Sequence, residues 1–393
     1  MFRIPKTPKI IFVTESIPEG YVSYGLSLIG AQTMWDRTKG ENVVVAVIDT
    51  GIDYRHPELK DRVMGGKDFT GSKDFIDDNG HGTHVAGIIA ASGQKISGVA
   101  PKANLLAVKV LDKDGGGRDE DVADGIAWAV ENGAEIISMS FGSADPSPAV
   151  RQAVRFAYKK GAVLIAAAGN EGDENIDSDT VDYPAKYQET IAVAAVDAKK
   201  IVAPFSSKGP EVDVAGPGVD IYSTYLKGKY AYLSGTSMAT PHISGAAALI
   251  LSDCKRVMGH KMTPQEVKNY LIMHTEDLGP KGKDNAYGYG LFTFNYGATL
   301  PSKAKEIKIR LDKGRTRMNG MVQLGSKVAV IDGNEVDMGA EPFQFGDCVY
   351  VSAQFLAEQL GAKTQLSASE MELIISNTRG TRLADFTDVD SAK

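Results

Sequence analysis

The chain has 393 residues, 43% of them hydrophobic, and carries a formal net charge of −7 with a pI near 5.5. This composition indicates an acidic globular protein with a large core, and because the basic residues form no long run it argues against nucleic acid as a partner. The two cysteines, Cys254 and Cys348, are too few and too far apart for a disulfide framework, and they fit a reducing compartment.

The N-terminal segment, residues 1–20, is predicted to be extended because it carries Pro5, Pro8 and Pro18. Its apolar stretch, residues 10–13, is too short for the core of a signal peptide, and no apolar run elsewhere in the sequence reaches the length of a membrane span. We therefore expect a cytoplasmic protein without membrane contact.

From Glu41 to about Thr299, short β-branched runs alternate with helical stretches, which is typical of a parallel α/β sheet. The predicted strands are Val43–Ile48, Leu105–Leu111, Ile136–Met139, Val163–Ala167 and Ile191–Val196. Buried helices are predicted at residues 85–91 and 245–251. Parallel sheets bind ligands just beyond the carboxyl ends of their strands, so a site is expected in the residues that follow these runs.

Four residues at strand and helix ends carry side chains that can act together in catalysis. Asp49 follows the first strand, His81 precedes the first buried helix, Asn170 follows the fourth strand, and Ser237 lies near the start of the second buried helix. Each one alone has an ordinary structural role as a turn residue, a core histidine or a helix cap. Together they supply an orienting acid, a base, an oxyanion donor and a nucleophile. The nearby His84 is expected to be a hydrogen-bonded core residue.

The sequence around these residues resembles the subtilisin-like serine peptidases over roughly Gln32 to Asn295. The matching motifs are Asp49-Thr50-Gly51, His81-Gly82-Thr83-His84 and Gly235-Thr236-Ser237-Met238-Ala239. The resemblance implies a three-layer α/β fold with a central, mostly parallel sheet, and a serine endopeptidase that works through an acyl-enzyme. It assigns Ser237 as the nucleophile, His81 as general base and acid, Asp49 as the orienting carboxylate and Asn170 as the oxyanion donor, and it implies no cofactor for catalysis.

The resemblance also implies where polypeptide substrates bind. The substrate would add a strand between two edges, which are Gly115, Gly116 and Gly117 on one side and Ser140, Phe141 and Gly142 on the other. Asp182 stands at the position that forms the floor of the pocket for the side chain before the scissile bond. A carboxylate there favours Lys or Arg, and the alternative is that Asp182 belongs to a solvated acidic loop.

Members of this family commonly hold calcium, and calcium as a structural ion is left open for this chain. Glu211 and Asp213 resemble a weaker cation site of oxygen ligands, and the alternative is that both are surface carboxylates. A tighter site is not expected. The loop at Ser92–Ser97 is roughly two residues short for it, and Glu58 stands where aspartate is usual.

The N-terminal segment resembles the short extension of intracellular subtilisins, since the chain has room for neither a signal peptide nor a folded prodomain before Asp49. In those relatives a proline-bearing segment can cover the active site, and Arg3-Ile4-Pro5-Lys6 is a loose match to it. We expect residues 1–20 to inhibit the uncut enzyme and residues 21–300 to form the peptidase domain.

The chain changes character after Pro301, and we predict a linker at 301–306, a small α+β module at 307–378 and a polar tail at 379–393. The predicted elements of the module are a strand at Ile307–Leu311, a hairpin over Lys327–Met338, a helix over Ala353–Leu360 and a strand at Met371–Ile375. It resembles the copper amine oxidase-like N-terminal domain, but it lacks a His/Cys cluster to hold copper. Because such modules recur in bacterial wall-associated proteins, an extracellular or wall-associated location is the alternative to the cytoplasm.

Two other functions compete with the peptidase. A catalytically inactive, peptide-binding pseudopeptidase would keep the pocket without an aligned catalytic set. A nucleotide-binding α/β protein is disfavoured, because the chain lacks GxxxxGKS/T and has no GxGxxG after its first strand. The physiological substrates, the partner of the C-terminal module and the formation of a homo-oligomer are left open.

Overall fold

The computed structural model describes residues 1–4, 11–12, 20–173, 175 and 178–295, and beyond them the backbone of eight strands. The chain divides into two compact units, Met1–Tyr296 and Gly297–Lys393, which are described separately. The helices of the first unit are α1 (Tyr24–Leu28), α2 (His81–Ala90), α3 (Asp119–Glu131), α4 (Pro148–Lys159), α5 (Thr236–Met258) and α6 (Pro264–Met273), with a 3₁₀ helix at Ala31–Met34. None of these helices is long and apolar enough to cross a membrane.

The strands of the first unit include a central set and several short edge pieces. They are β1 (Phe2–Arg3), β2 (Ile11–Phe12), β3 (Val44–Asp49), β4 (Val63–Asp68), β5 (Asn104–Lys109), β6 (Gly116–Gly117), β7 (Ile136–Met139), β8 (Val163–Ala167), β9 (Thr190–Val196), β10 (Val212–Pro217), β11 (Ile221–Tyr225), β12 (Lys229–Leu233), β13 (Thr275–Glu276) and β14 (Leu291–Phe292).

The central sheet has nine strands in the order β13-β14-β10-β9-β8-β7-β3-β5-β4. Every neighbouring pair is parallel except β13 with β14. In register, Ile48 of β3 lies beside Met139 of β7, and Met139 lies beside Ala166 of β8. Because these three strands end at the same edge of the sheet, the residues that follow them emerge side by side.

Helices cover both faces of this sheet. Helix α5 packs against β7, β8, β9 and β10, and α2 packs against α5. On the other face, Ala46 and Ile48 of β3 belong to one buried cluster with Val122 and Ile126 of α3. Since alternate residues of a strand face opposite sides, the sheet is buried between two helical layers. The predicted three-layer α/β fold is confirmed.

The five predicted strands correspond to β3, β5, β7, β8 and β9, with ends shifted by no more than two residues. The helices extend further than predicted: α2 begins at His81 and α5 at Thr236. Both begin with small and polar residues that break the apolar pattern of a buried helix. The sequence prediction also missed the β11–β12 hairpin, in which four tyrosines, Ser223 and Thr224 take the place of most β-branched aliphatic side chains.

The second unit is described only through its strands. They are β15 (Glu306–Lys313), β16 (Thr316–Gln323), β17 (Val328–Ile331), β18 (Asn334–Asp337), β19 (Phe343–Phe345), β20 (Cys348–Tyr350), β21 (Lys363–Leu366) and β22 (Leu373–Ser376). Strands β15 to β18 form an antiparallel sheet, and Ile331 pairs with Asn334 across the turn of the expected hairpin. The predicted helix over Ala353–Leu360 lies outside the described residues.

Candidate active site

Asp49 and His81 are in direct contact. Asp49 ends β3, His81 begins α2, and both are buried. Nδ1 of His81 lies 2.8 Å from Oδ1 and 3.0 Å from Oδ2 of the Asp49 carboxylate. A carboxylate facing Nδ1 keeps the proton on that nitrogen, so the lone pair remains on Nε2. Nε2 is buried and has no hydrogen-bond partner among the residues that the structure describes. The geometry is that of an oriented general base.

The turn before α2 is held by residues that sequence reasoning did not select. The Thr50 backbone N–H donates to Oδ1 of Asp49 at 2.7 Å, and the Thr50 hydroxyl donates to the buried carboxylate of Asp77 at 2.8 Å. Asp77 also accepts the backbone N–H groups of Gly80 and Thr83, both at 2.9 Å. The signal that could have found Asp77 is an acidic residue just upstream of a helix N-terminus.

Ser237 lies in the first turn of α5, where backbone N–H groups point toward a substrate. It is fully buried, and its Oγ donates a 2.9 Å hydrogen bond to the carbonyl of Ser140, the residue that follows β7. The Ser140 hydroxyl returns a bond of 2.9 Å to the Ser237 carbonyl. Ser237 therefore points its hydroxyl proton at the Ser140 carbonyl, and among the described residues no hydrogen bond joins it to Nε2 of His81.

Asn170, which follows β8, is oriented by the residue before Ser237. Its side-chain oxygen accepts 2.9 Å hydrogen bonds from both the backbone N–H and the hydroxyl of Thr236. Because the oxygen end of the amide is engaged in this way, the NH₂ end is the one directed away from Thr236. A neutral donor group therefore stands at the N-terminus of α5.

His84 has the role that was expected for it. It is fully buried, and its Nε2 lies 3.0 Å from the Ile221 carbonyl and 3.1 Å from the Ala231 carbonyl. Burial lowers the pKa of His84 to about 3, so it is neutral at physiological pH. This histidine joins α2 to the β11–β12 hairpin.

The two expected substrate edges lie on either side of the chain's own N-terminus. Strand β1 pairs antiparallel with β6, and the Ile4 N–H donates to the Gly115 carbonyl at 2.9 Å. On the other side, Arg3 and Gly142 exchange two backbone hydrogen bonds, of 3.0 and 3.1 Å. Phe2 is fully buried, with its ring 5.6 Å from that of Phe141 in an edge-to-face contact. Residues 2–4 therefore occupy the groove as an added strand.

A second piece of the N-terminal segment lies on another edge. Strand β2 pairs antiparallel with β12, with Ile11 beside Tyr232 and Phe12 beside Ala231. Strand β12 ends at Leu233, four residues before Ser237. The segment thus has one strand in the groove of β6 and another on the hairpin that leads to Ser237.

Asp182 lies where the two walls of the expected pocket approach each other. If Gly142 carried a Cβ atom, that atom would lie 2.4 Å from Oδ2 of Asp182, and a Cβ atom on Gly169 would lie 3.1 Å from the same oxygen. The carboxylate therefore lies directly beside both glycines. Burial, and then the neighbouring Glu171 carboxylate, raise the pKa of Asp182 to about 7. Asp182 is buried and its charge depends on pH near neutrality, unlike a residue of a solvated loop.

The two residues considered for calcium differ in what they contact. One oxygen of Asp213 accepts the Ala192 N–H at 3.0 Å and the Lys268 ammonium at 2.8 Å, and one buried oxygen of Glu211 has no hydrogen-bond partner among the described residues. Across those residues, no group of three or more His, Cys, Asp or Glu side chains could hold a metal ion. The Lys268 ammonium already balances the charge of Asp213, which weighs against a divalent cation at that carboxylate.

Glu58 closes the short loop where a tighter calcium site is not expected. Its carboxylate accepts the Ser92 hydroxyl at 2.7 Å and the backbone N–H groups of Gln94 and Ile96 at 3.1 and 3.3 Å. Burial opposes ionisation of Glu58, but these hydrogen bonds hold its pKa below the ordinary value. Protein donors occupy the lone pairs that a cation would need.

Known proteins resemble this chain in both units. Residues 40–290 match the family model of the subtilase family, and residues 293–375 match that of the copper amine oxidase N-terminal domain. The chain is 43% identical to the "Intracellular serine protease" of Paenibacillus polymyxa over 274 residues, which cover 67% of this chain and 84% of the relative. It is 45% identical to the "Major intracellular serine protease" of Bacillus subtilis (strain 168) over 281 residues, 69% of this chain and 86% of the relative.

A third relative is the "Thermitase" of Thermoactinomyces vulgaris, which is 42% identical over 268 residues, 67% of this chain and 94% of the relative. The chain therefore belongs to the subtilase family. It is a subtilisin-like serine endopeptidase that acts on polypeptides.

Proposed function

We propose that this endopeptidase cleaves peptide bonds with Ser237 as nucleophile, His81 as general base and acid, Asp49 as the orienting carboxylate and Asn170 as the oxyanion donor. The observation that carries the proposal is the 2.8 Å contact between Nδ1 of His81 and the Asp49 carboxylate at the edge of the sheet where Ser237 also lies. No cofactor enters the reaction.

In the first step Oγ of Ser237 attacks the scissile carbonyl carbon, while Nε2 of His81 takes the hydroxyl proton. The carbonyl π electrons move to oxygen, and the resulting oxyanion accepts hydrogen bonds from the Asn170 NH₂ and the Ser237 backbone N–H. The Asp49 carboxylate stabilises the imidazolium that forms on His81.

In the second step the oxyanion re-forms the carbonyl, and the C–N bond breaks. His81 returns its proton to the leaving nitrogen, so the products are a free amine and an ester on Ser237. Water then attacks the ester by the same sequence, with His81 again taking and returning one proton. This releases the carboxylic acid and restores the Ser237 hydroxyl.

Hydrolysis of casein and of chromogenic peptides tests this assignment. We expect Ser237→Ala to lose turnover by about 10⁴-fold or more, because the remaining groups cannot form an acyl-enzyme. Ser244→Ala is the matched control, since Ser244 is a buried serine of the same helix that bonds Ser138 and Thr240. A pseudopeptidase predicts that wild type and both variants bind peptides equally and cleave none.

We propose further that the N-terminal segment inhibits the uncut enzyme by occupying the substrate groove. The proposal is supported by the backbone hydrogen bonds of Arg3 and Ile4 and by the burial of Phe2. A substrate strand needs the same Gly115 and Gly142 groups, so it cannot bind until the segment leaves.

Proline substitution at Arg3 tests the inhibition. Arg3→Pro removes the N–H that donates to Gly142 and should raise the initial rate and abolish any lag, whereas Arg3→Ala keeps that N–H and should retain the lag. Equal initial rates in wild type and Arg3→Pro would contradict inhibition by this strand.

We propose a preference for Lys or Arg before the scissile bond, set by Asp182. Its position between Gly142 and Gly169 supports the proposal, because a carboxylate there lies beside both walls of the pocket.

An intracellular location is proposed from the names of the two intracellular relatives. The C-terminal module is proposed as a docking or stabilising appendage.

A structural calcium ion at Glu211 and Asp213 stays a prediction, and thermal melting with and without chelator tests it. The bond between Lys268 and Asp213 favours an unchanged midpoint.

A further inference from the structure

We propose that Asp77 is a positioning residue for catalysis: its buried carboxylate holds the turn between Asp49 and His81 and supplies negative charge to the helix end on which His81 becomes a cation. The inference rests on the proposed role of His81 as general base.

The carboxylate of Asp77 accepts five hydrogen bonds. Oδ1 accepts the Thr50 hydroxyl at 2.8 Å and the N–H groups of Asn79 and Gly80, each at 2.9 Å. Oδ2 accepts the N–H and the hydroxyl of Thr83 at 2.9 and 2.7 Å. The donors come from the end of β3, from the turn before α2 and from α2 itself, so one side chain joins the three pieces of chain that carry Asp49 and His81.

The directions of these bonds favour an ionised carboxyl group. The Thr50 hydroxyl accepts the Gly82 N–H at 3.0 Å, and the Thr83 hydroxyl accepts the Asp53 N–H at 2.9 Å. Each hydroxyl therefore points its single proton at Asp77. All five partners are donors, and a protonated Asp77 would set its own hydrogen against one of them. Burial raises the pKa of Asp77 above its ordinary value, and these bonds oppose that rise without cancelling it.

The location of this charge matters because His81 is the first residue of α2. A helix N-terminus carries partial positive charge and opposes the imidazolium that His81 must become during the reaction. The cap residue Gly80 contributes no side-chain hydrogen bond, and the first turn of α2 contains no acidic residue. Asp77 binds two of the N–H groups of that helix end and offsets their charge.

Other charged groups surround this helix end. Asp49 of β3 contacts His81 directly, and the neutral His84 follows on the same helix. Lys109 of β5 is the register partner of Asp49 on the neighbouring strand. Its ammonium forms an ion pair of 2.7 Å with Asp78, which balances the positive charge of Lys109. Asp53, whose N–H binds Thr83, accepts the Lys227 N–H of the β11–β12 turn. Of these acidic residues, Asp77 is the one whose carboxylate binds the N–H groups of α2.

The test is the pH profile of kcat/KM and kcat for Asp77→Asn in the full chain, after activation. Loss of the negative charge should make the protonated form of the proposed base less favourable, so the acid limb of kcat/KM should move to lower pH by about 0.5–1 unit. Because the imidazolium is then less stable, kcat should fall about tenfold with KM changed less than twofold. Asp74→Asn is the matched control, since Asp74 lies on the same loop and binds Ile76 and Tyr54 instead.

If a folded Asp77→Asn protein keeps the wild-type acid limb and kcat, the inference is overturned. The proposed function would still stand in that case, because it is tested by turnover of the wild-type enzyme. If Asp77→Asn does not fold, the pair Thr50→Val and Thr50→Ser decides. Thr50→Val breaks the link from Asp77 to Gly82 and should lower kcat with a shifted acid limb, whereas Thr50→Ser should keep the wild-type profile. Equal profiles for both Thr50 variants would also overturn it.

Discussion

The N-termini of α2 and α5 present opposite electrostatic environments to the two side chains that we propose as base and nucleophile. At α2, which carries His81, the buried Asp77 carboxylate accepts two backbone N–H groups. At α5, which carries Ser237, the first turn contains no acidic residue and the neutral Asn170 amide oxygen accepts the Thr236 N–H. His81, which we propose becomes positive, thus lies at a helix end with an added negative charge. Ser237, beside which we propose that negative charge develops, lies at a helix end whose positive charge is retained.

Two helices with similar small, polar first turns therefore serve opposite electrostatic functions, and the difference comes from the side chains of neighbouring loops. Substitutions that remove or exchange the groups at one end test this comparison. The expected losses of activity decrease from the Asp49 carboxylate to the substrate pocket.

Asp49→Asn should have the largest effect on the α2 side. An amide in place of the carboxylate keeps the shape but turns His81 to the wrong tautomer and leaves the imidazolium without a counter-charge, so kcat should fall about 10⁴-fold. Steady-state kinetics on a chromogenic peptide measure this. Asp53→Asn is a control on the same turn, and a loss in Asp49→Asn no larger than in this control would contradict the assignment.

Asn170 tests the α5 side. Asn170→Ala should lower kcat by about 10²–10³-fold with little change in KM, which is the size of loss known for the oxyanion-hole asparagine of a subtilisin. Asn170→Asp sharpens the comparison, because it places a carboxylate at the helix end where negative charge must develop. We expect a greater loss for Asp than for Ala. Activity in Asn170→Asp equal to wild type would break the proposed division of charge between the two helices.

Asp182 should give the smallest and most pH-dependent effect. Its pKa, raised to about 7 by burial and by Glu171, means that the carboxyl is neutral below pH 7 and charged above it. The ratio of kcat/KM for Lys over Phe substrates should therefore rise about tenfold between pH 6 and 8. Asp182→Asn should flatten this rise, and Glu171→Gln should move it to lower pH.

The matched control for the pocket is Asp179→Asn, since Asp179 lies on the same segment and pairs with Lys186 at 2.6 Å. A Lys-to-Phe ratio that is independent of pH in wild type, or a rise that survives in Asp182→Asn, would exclude Asp182 as the selecting group.

The sequence predicted the parts of this site that depend on local pattern. The β-branched runs predict β3, β7 and β8, and because parallel strands end at one edge, they also predict that Asp49, Ser140 and Asn170 lie close together. Asp49 contacts His81, for which it was the candidate orienting carboxylate. The strand formed by Phe2 and Arg3 in the groove agrees instead with the resemblance to the extension of intracellular subtilisins.

Other features depend on tertiary contacts that no local pattern contains. Asp77 stands in a run of polar residues that looks like a solvated turn, and only packing shows it buried beneath Thr50 and Thr83. The Ser237 hydroxyl faces the Ser140 carbonyl through a side-chain rotation that sequence cannot specify. The raised pKa of Asp182 depends on burial and then on Glu171, a neighbour eleven residues away in sequence.

The reactivity of Ser237 toward a fluorophosphonate probe tests the central claim most directly. The activated enzyme should be labelled at Ser237 through loss of fluoride, since only a serine deprotonated by a neighbouring base reacts at a useful rate. Mass spectrometry of the labelled peptide should locate the adduct on Ser237, with full labelling in Ser244→Ala and none in Ser237→Ala. A folded, activated wild-type protein that remains unlabelled, or an adduct on any other serine, would contradict the account.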